Sequence, residues 1–154
     1  MNEESTTKTN DNGTKLSNAP LVRQKDVSSA IKRFKHAYGN DLNVFDVDCL
    51  KGVERLKIGN DCFKKVNRFV IDGLNELKSV TIGKRSFFLD KNNQIGSSCV
   101  IMNCDQLSSL CIGENSFLLY ESFELKNLPS LISITLNDHA FCNCQTIVLD
   151  SMND

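Results

Sequence analysis

From Phe45 onward, apolar and polar positions recur along the chain. Units begin at Phe45, Phe69, Cys99, Phe123 and Ile147, spaced 24, 30, 24 and 24 residues apart. Within a unit the first, third, sixth, ninth, twelfth and fourteenth positions are apolar. In the first unit these are Phe45, Val47, Leu50, Val53, Leu56 and Ile58; in the third they are Cys99, Ile101, Cys104, Leu107, Leu110 and Ile112. The nineteenth position is phenylalanine in four units (Phe63, Phe87, Phe117 and Phe141). A small residue precedes it each time (Cys62, Ser86, Ser116 and Ala140). The second unit fits the others once six residues are set aside within residues 89–98, LDKNNQIGSS. That polar stretch is a loop insertion of the kind that repeat arrays tolerate on one face.

The pattern predicts short strands. Alternation such as Leu56-Lys57-Ile58 or Val80-Thr81-Ile82 sends successive side chains to opposite faces. The next residue is Gly59, Gly83, Gly113 or Asn137. Gly and Asn reach positive φ at low cost, so the chain is expected to turn there. A second alternation at Phe69-Val70-Ile71 gives each unit two extended runs on opposite sides. One unit of this size cannot bury its own apolar face, whereas stacked units bury each other's. The expected fold is a mostly β repeat solenoid with four units from residue 45 and a fifth that begins at Ile147 and stops at Asp154. A fifth unit of that length is expected to leave an open edge, with unpaired backbone groups that offer self-association.

The run Leu77-x-x-Val80-x-Ile82, with equivalents at Val53, Leu107 and Leu131, resembles the LxxLxL core of a leucine-rich repeat. The asparagine position of that family falls at Asp61, Arg85, Asn115 and His139, and one unit keeps it. The ending from Ile82-Gly83 to Phe87, and from Ile112-Gly113 to Phe117, resembles the atypical leucine-rich repeats of the BspA-like class. Such repeats are common in large protist and bacterial protein families, often as extracellular adhesion or surface proteins. The resemblance covers residues 45–154. It implies a right-handed, curved stack of short strands and turns with a strand-lined concave face. The residues pointing out of that face would form three columns: Arg55, Ser79, Ser109 and Ser133; Lys57, Thr81, Cys111 and Thr135; and, past the turn, Asn60, Lys84, Glu114 and Asp138. These columns run from basic in the first unit to acidic in the last. They are the candidate partner-binding residues, and as Ser- and Thr-rich strand positions they equally suit plain exposure to solvent.

The first 44 residues are different. Residues 1–20 are polar and hold nothing that could bury enough surface to offset ordering, so they are expected to be a disordered tail. Residues 21–44 form an N-terminal cap. Val27, Ala30, Ile31, Phe34 and Tyr38 recur at helical spacing, which predicts a short helix over 25–38, capped by Asp26 and ended by Gly39. Its Lys32, Arg33, Lys35 and His36 lie mostly off the apolar stripe and read as a solvated face, with weak nucleic-acid binding through this basic helix as the alternative.

Composition narrows the function classes. The 154 residues are 40% hydrophobic and 24% charged, near the globular average. A net charge of −1 argues against nucleic acid as a partner. No apolar run approaches the length of a membrane span. The first residues, MNEESTTKTN, carry Glu3 and Glu4 and no apolar segment, unlike a secretory signal. The expected compartment is therefore the cytoplasm, where seven cysteines stay reduced; a piece of a longer surface protein would be extracellular.

Candidate chemistry is sparse. His139, Cys142 and Cys144, beside Asp138, are ligand-type residues, but zinc needs a further ligand. Cys144 shares its column with Val66 and Tyr120, so it reads as a small hydrophobe. Cys111, on an outward column, is expected to be the most reactive thiol. No phosphate loop, dinucleotide fingerprint or paired carboxylates occur. The sequence reads as a non-enzyme without cofactor or metal, binding an unidentified protein through its extended surface.

Overall fold

The computed structural model describes residues 44–45 and 50–150. The tail at 1–20, the helix at 25–38 and the cap up to residue 43 lie outside them. The described residues contain no α-helix. Their strands are β1 (Val44–Phe45), β2 (Arg55–Ile58), β3 (Arg68–Asp72), β4 (Ser79–Ile82), β5 (Ser98–Met102), β6 (Ser109–Ile112), β7 (Ser122–Lys126), β8 (Ser133–Leu136) and β9 (Thr146–Asp150). Consecutive strands alternate between two sheets, ordered β1-β3-β5-β7-β9 and β2-β4-β6-β8. Each pairing is parallel.

The register follows the repeat. Leu56 pairs with Val80, Val80 with Leu110 and Leu110 with Ile134; in the other sheet Phe69 pairs with Cys99 and Cys99 with Phe123. The six extra residues of the second unit are absorbed in the loop between β4 and β5, so the 30-residue spacing leaves the register intact. The inward residues of both sheets join one core that includes Leu56, Ile58, Val80, Ile82, Phe69, Ile71, Phe123 and Leu125. The nineteenth-position phenylalanines run through it as a stack. Ring centroids lie 5.3 Å apart for Phe63 and Phe87, 4.6 Å for Phe87 and Phe117, and 4.7 Å for Phe117 and Phe141. Tyr120 meets Phe117 edge-on, and its hydroxyl donates to the Val66 carbonyl, so the buried phenol is satisfied.

The turns overturn one expectation. Gly59, Gly83 and Gly113 do not have positive φ. Close approach requires glycine at the two inner sites: a Cβ on Gly83 would sit 2.6 Å from the Asn60 nitrogen, and one on Gly113 would sit 2.5 Å from the Gly83 carbonyl carbon. The left-handed residues come later and carry side chains. Asp61, Arg85, Asn115 and His139 have φ of 55, 51, 56 and 59°. The four phenylalanines Phe63, Phe87, Phe117 and Phe141 have φ of 57, 53, 54 and 53°. Such a conformation costs on the order of 1 kcal/mol for a side-chain-bearing residue. Hydrogen bonds between units oppose that cost. The Asp61, Arg85 and Asn115 N–H groups donate to the carbonyls of Lys84, Glu114 and Asp138 at 2.8, 2.9 and 2.9 Å. The Phe87, Phe117 and Phe141 N–H groups donate back to Cys62, Ser86 and Ser116.

The small residue before each phenylalanine has a role of its own. The Ser86 hydroxyl donates to the Gly59 carbonyl at 2.7 Å and accepts from the Cys62 N–H at 3.1 Å. Ser116 repeats this with the Gly83 carbonyl at 2.6 Å and the Ser86 N–H at 3.2 Å. Both serines are fully buried, and their hydroxyls satisfy backbone groups that would otherwise be lost to the core. A short ladder of asparagines runs along the turns that follow β5 and β7. Gly73, Asn103 and Asn127 share the fifth position with φ of 71, 55 and 49°. Asn127 Nδ2 donates to Asn103 Oδ1 at 2.9 Å, and Asn103 Nδ2 to Asp72 Oδ1 at 2.7 Å.

Candidate functional site

The outward face of the four-stranded sheet is built from the alternate residues of β2, β4, β6 and β8. Arg55 aligns with Ser79, Ser109 and Ser133, and Lys57 with Thr81, Cys111 and Thr135. Both columns expected from the sequence are thus in register, and each member is exposed or half-buried. The third set, Asn60, Lys84, Glu114 and Asp138, stands on the turns that follow these strands. With Cys111 it lines an open cleft of about 340 Å³, floored by Ile82, Gly83 and Gly113 and lined also by Asn137.

The cleft exists because the glycine column holds the turns close and leaves no side chains over their backbone. Its floor residues escaped sequence reasoning, since Ile82 is a core position and the glycines read as turn formers. Asn137 had a readable signal, as the one side chain in the glycine column. Its Nδ2 donates to the Ile112 carbonyl at 2.8 Å and lies 3.9 Å from Cys111 Sγ.

Electrostatically the strip is less graded than its sequence suggests. Lys84 Nζ lies 3.1 Å from Glu114 Oε2, so the central charges of the third column compensate each other. Asn60 Oδ1 accepts the Lys84 N–H at 2.8 Å and fixes the turn above them. Beside the cleft, Arg85 makes a two-pronged contact with Asp61, both distances 3.0 Å. That hydrogen-bonded guanidinium holds the Asp61 carboxyl below its ordinary pKa and raises that of Arg85 in turn. Arg55 and Lys57 are exposed and form no ion pair with a described residue. They are the uncompensated positive end of the face.

The thiols sort by burial. Cys62, Cys99 and Cys104 are core residues, and burial pushes the Cys99 thiol well above its ordinary pKa. Cys111 is half-buried, whereas Cys142 is exposed. Cys111, expected to be the most reactive thiol, is thus less exposed than Cys142: β8 and Asn137 flank it on its sheet, while Cys142 sits on a turn. Cys144 packs against the core, with its Sγ donating to the Thr146 carbonyl at 3.1 Å. Among the described residues no three His, Cys, Asp or Glu side chains gather as metal ligands would, and no helix is long and apolar enough to cross a membrane.

No protein-family model matches the chain, and neither does any curated protein or solved structure.

Proposed function

We propose that the chain is a leucine-rich-type repeat solenoid of the BspA-like class that binds a protein partner through the outward face of β2, β4, β6 and β8, without catalysis. One observation carries the reading. Eight residues from four successive units are held in two columns on one sheet face, with an open cleft along one margin lined by the turn residues Asn60, Lys84, Glu114 and Asp138. Repeats spaced by 24 or 30 residues that pair in parallel are what a solenoid requires, and such arrays use extended surfaces for recognition. The face is polar, and its unpaired charges are Arg55 and Lys57 at the β2 end and Asp138 at the β8 end, so the fitting partner presents an acidic surface to the β2 end. The Ser and Thr columns supply hydrogen-bonding groups between the cations and the cleft.

The test is affinity capture with the full chain beside its Arg55→Ala/Lys57→Ala double variant. A partner that binds the chain and loses at least about tenfold in affinity to the variant, about 1.4 kcal/mol, supports the reading. If every partner found binds both proteins equally, the reading fails.

A further inference from the structure

At the β8/β9 end of the described residues the core is uncovered. Ile134 and Leu136 of β8 are 38% and 43% exposed, and Ile147 and Leu149 of β9 are 58% and 57% exposed. The residues that pair with them one unit earlier, Leu110, Ile112, Phe123 and Leu125, are at most 2% exposed. Two further features mark this end as an interface rather than a bare core layer. The tenth position of the repeat is Glu54, Lys78 and Ser108 in the first three units, and Ile132 here, 84% exposed. Between Leu131 and Leu149 the sole charged residue is Asp138. Edge strands that stay solitary carry lysines, prolines or other charges that repel pairing. At the opposite edge of the same sheet, β2 carries the exposed Arg55 and Lys57; β8 carries no charge, and β9 carries one, Asp150 at its end, with no lysine, arginine or proline on either.

We propose that a second copy of this chain docks on the β8/β9 end, related to the first by a twofold axis. A head-to-tail contact does not fit. At the other end Leu56 and Ile58 of β2 are 1% exposed and offer no apolar layer to match. An identical β8/β9 end does offer one. Antiparallel pairing of β9 with its copy about Val148 sets Ile147 opposite Leu149 and Thr146 opposite Asp150. Pairing of β8 about Thr135 sets Ile134 opposite Leu136. Apolar residues meet apolar residues on the inner face, and no like charges are opposed. The contact is isologous, so it closes at two copies and leaves no β8/β9 end for a third; the remaining edge of the four-stranded sheet, β2, carries Arg55 and Lys57.

Sedimentation velocity on the full chain over a concentration series tests this. The expected result is a monomer–dimer equilibrium, in which Leu149→Glu and Ile132→Lys each weaken the dimer at least about tenfold while circular dichroism is unchanged. Arg55→Ala/Lys57→Ala leaves the dimer intact, which separates this contact from partner binding on the outward face. Should Leu149→Glu fail to fold, the exposed Ile132 position keeps the test. A chain that is monomeric throughout, one that assembles beyond dimers, or a dimer that tolerates both end variants overturns the proposal.

Discussion

The ring of Phe117 stacks on that of Phe87 with centroids 4.6 Å apart and planes within 5° of parallel. Phe117 also touches Phe69, Tyr120 and Phe141, so it joins three successive units and both turn and strand residues. Phe117→Ala should cost about 3–5 kcal/mol of stability, read as a lower midpoint in denaturant unfolding. Phe63 stacks at a looser 5.3 Å, with its plane tilted 20°. Phe63→Ala should cost less. An equal cost for the two would mean that the stack does not bind the units together.

Two glycines should respond in opposite ways to asparagine. Gly73 lies at φ 71° with nothing within 4 Å of a would-be Cβ, in the column where Asn103 and Asn127 already take that conformation. Gly73→Asn should change stability by less than about 0.5 kcal/mol. Gly113 has ordinary φ but no room, its Cβ falling 2.5 Å from backbone. Gly113→Asn should cost at least about 1–3 kcal/mol through overpacking. Thermal unfolding of the two variants side by side reads the contrast.

Stability should decline at both pH extremes, for separate reasons. Burial raises the Cys99 and Tyr120 pKa values well above their ordinary ones, so both groups ionise more readily in the unfolded chain. Their contribution is complete below the ordinary thiol and phenol ranges and is lost as pH rises toward the folded values. Replacing the thiol by Cys99→Val should therefore flatten the alkaline fall in melting temperature. Asp61 has the opposite sign. Its lowered pKa contributes above the ordinary carboxylate range and is lost as pH falls through the folded value. An NMR titration should place the Asp61 carboxyl below its ordinary range, and Arg85→Ala should move it back up.

Thiol reactivity should follow exposure. Timed alkylation of the native chain, read by peptide mass, should modify Cys142 first among the described cysteines, with the half-buried Cys111 and Cys144 following. Cys62, Cys99 and Cys104 should react only on unfolding, because each is buried. Modification of Cys99 at the rate of Cys142 would contradict the packing described.

The strand columns were legible in the sequence because alternation and a fixed period both report on side-chain direction. Leu56 with Ile58 and Val80 with Ile82 announce their faces, and equal spacing aligns them across units. The six-residue insertion near Asn92 was legible for the same reason, since the pattern resumes after it. The glycine column was misread. A glycine in a sequence can mean positive φ or close approach, and nothing adjacent to Gly83 separates the two. The left-handed phenylalanines were invisible, because a bulky residue is the last expected at φ near 55°, and it is ring stacking and backbone hydrogen bonds between units that hold it there. For the candidate site, all three columns were readable as periodic positions. The cleft was not, since it depends on how closely Gly83 and Gly113 pack, and neither was the Lys84–Glu114 pair, which joins residues 30 apart in sequence.

The central claim is that one face of the molecule recognises a protein partner. It is met most directly by titration calorimetry of a captured partner against variants on the two sheets. Arg55→Ala/Lys57→Ala and Thr81→Ala/Thr135→Ala alter the outward face of the four-stranded sheet, while Arg68→Ala/Glu124→Ala alters the outward face of the five-stranded one. The account predicts that the first two variants raise Kd by about tenfold or more and that the third leaves it unchanged. Equal losses on both sheets, or a loss confined to the five-stranded sheet, would contradict it.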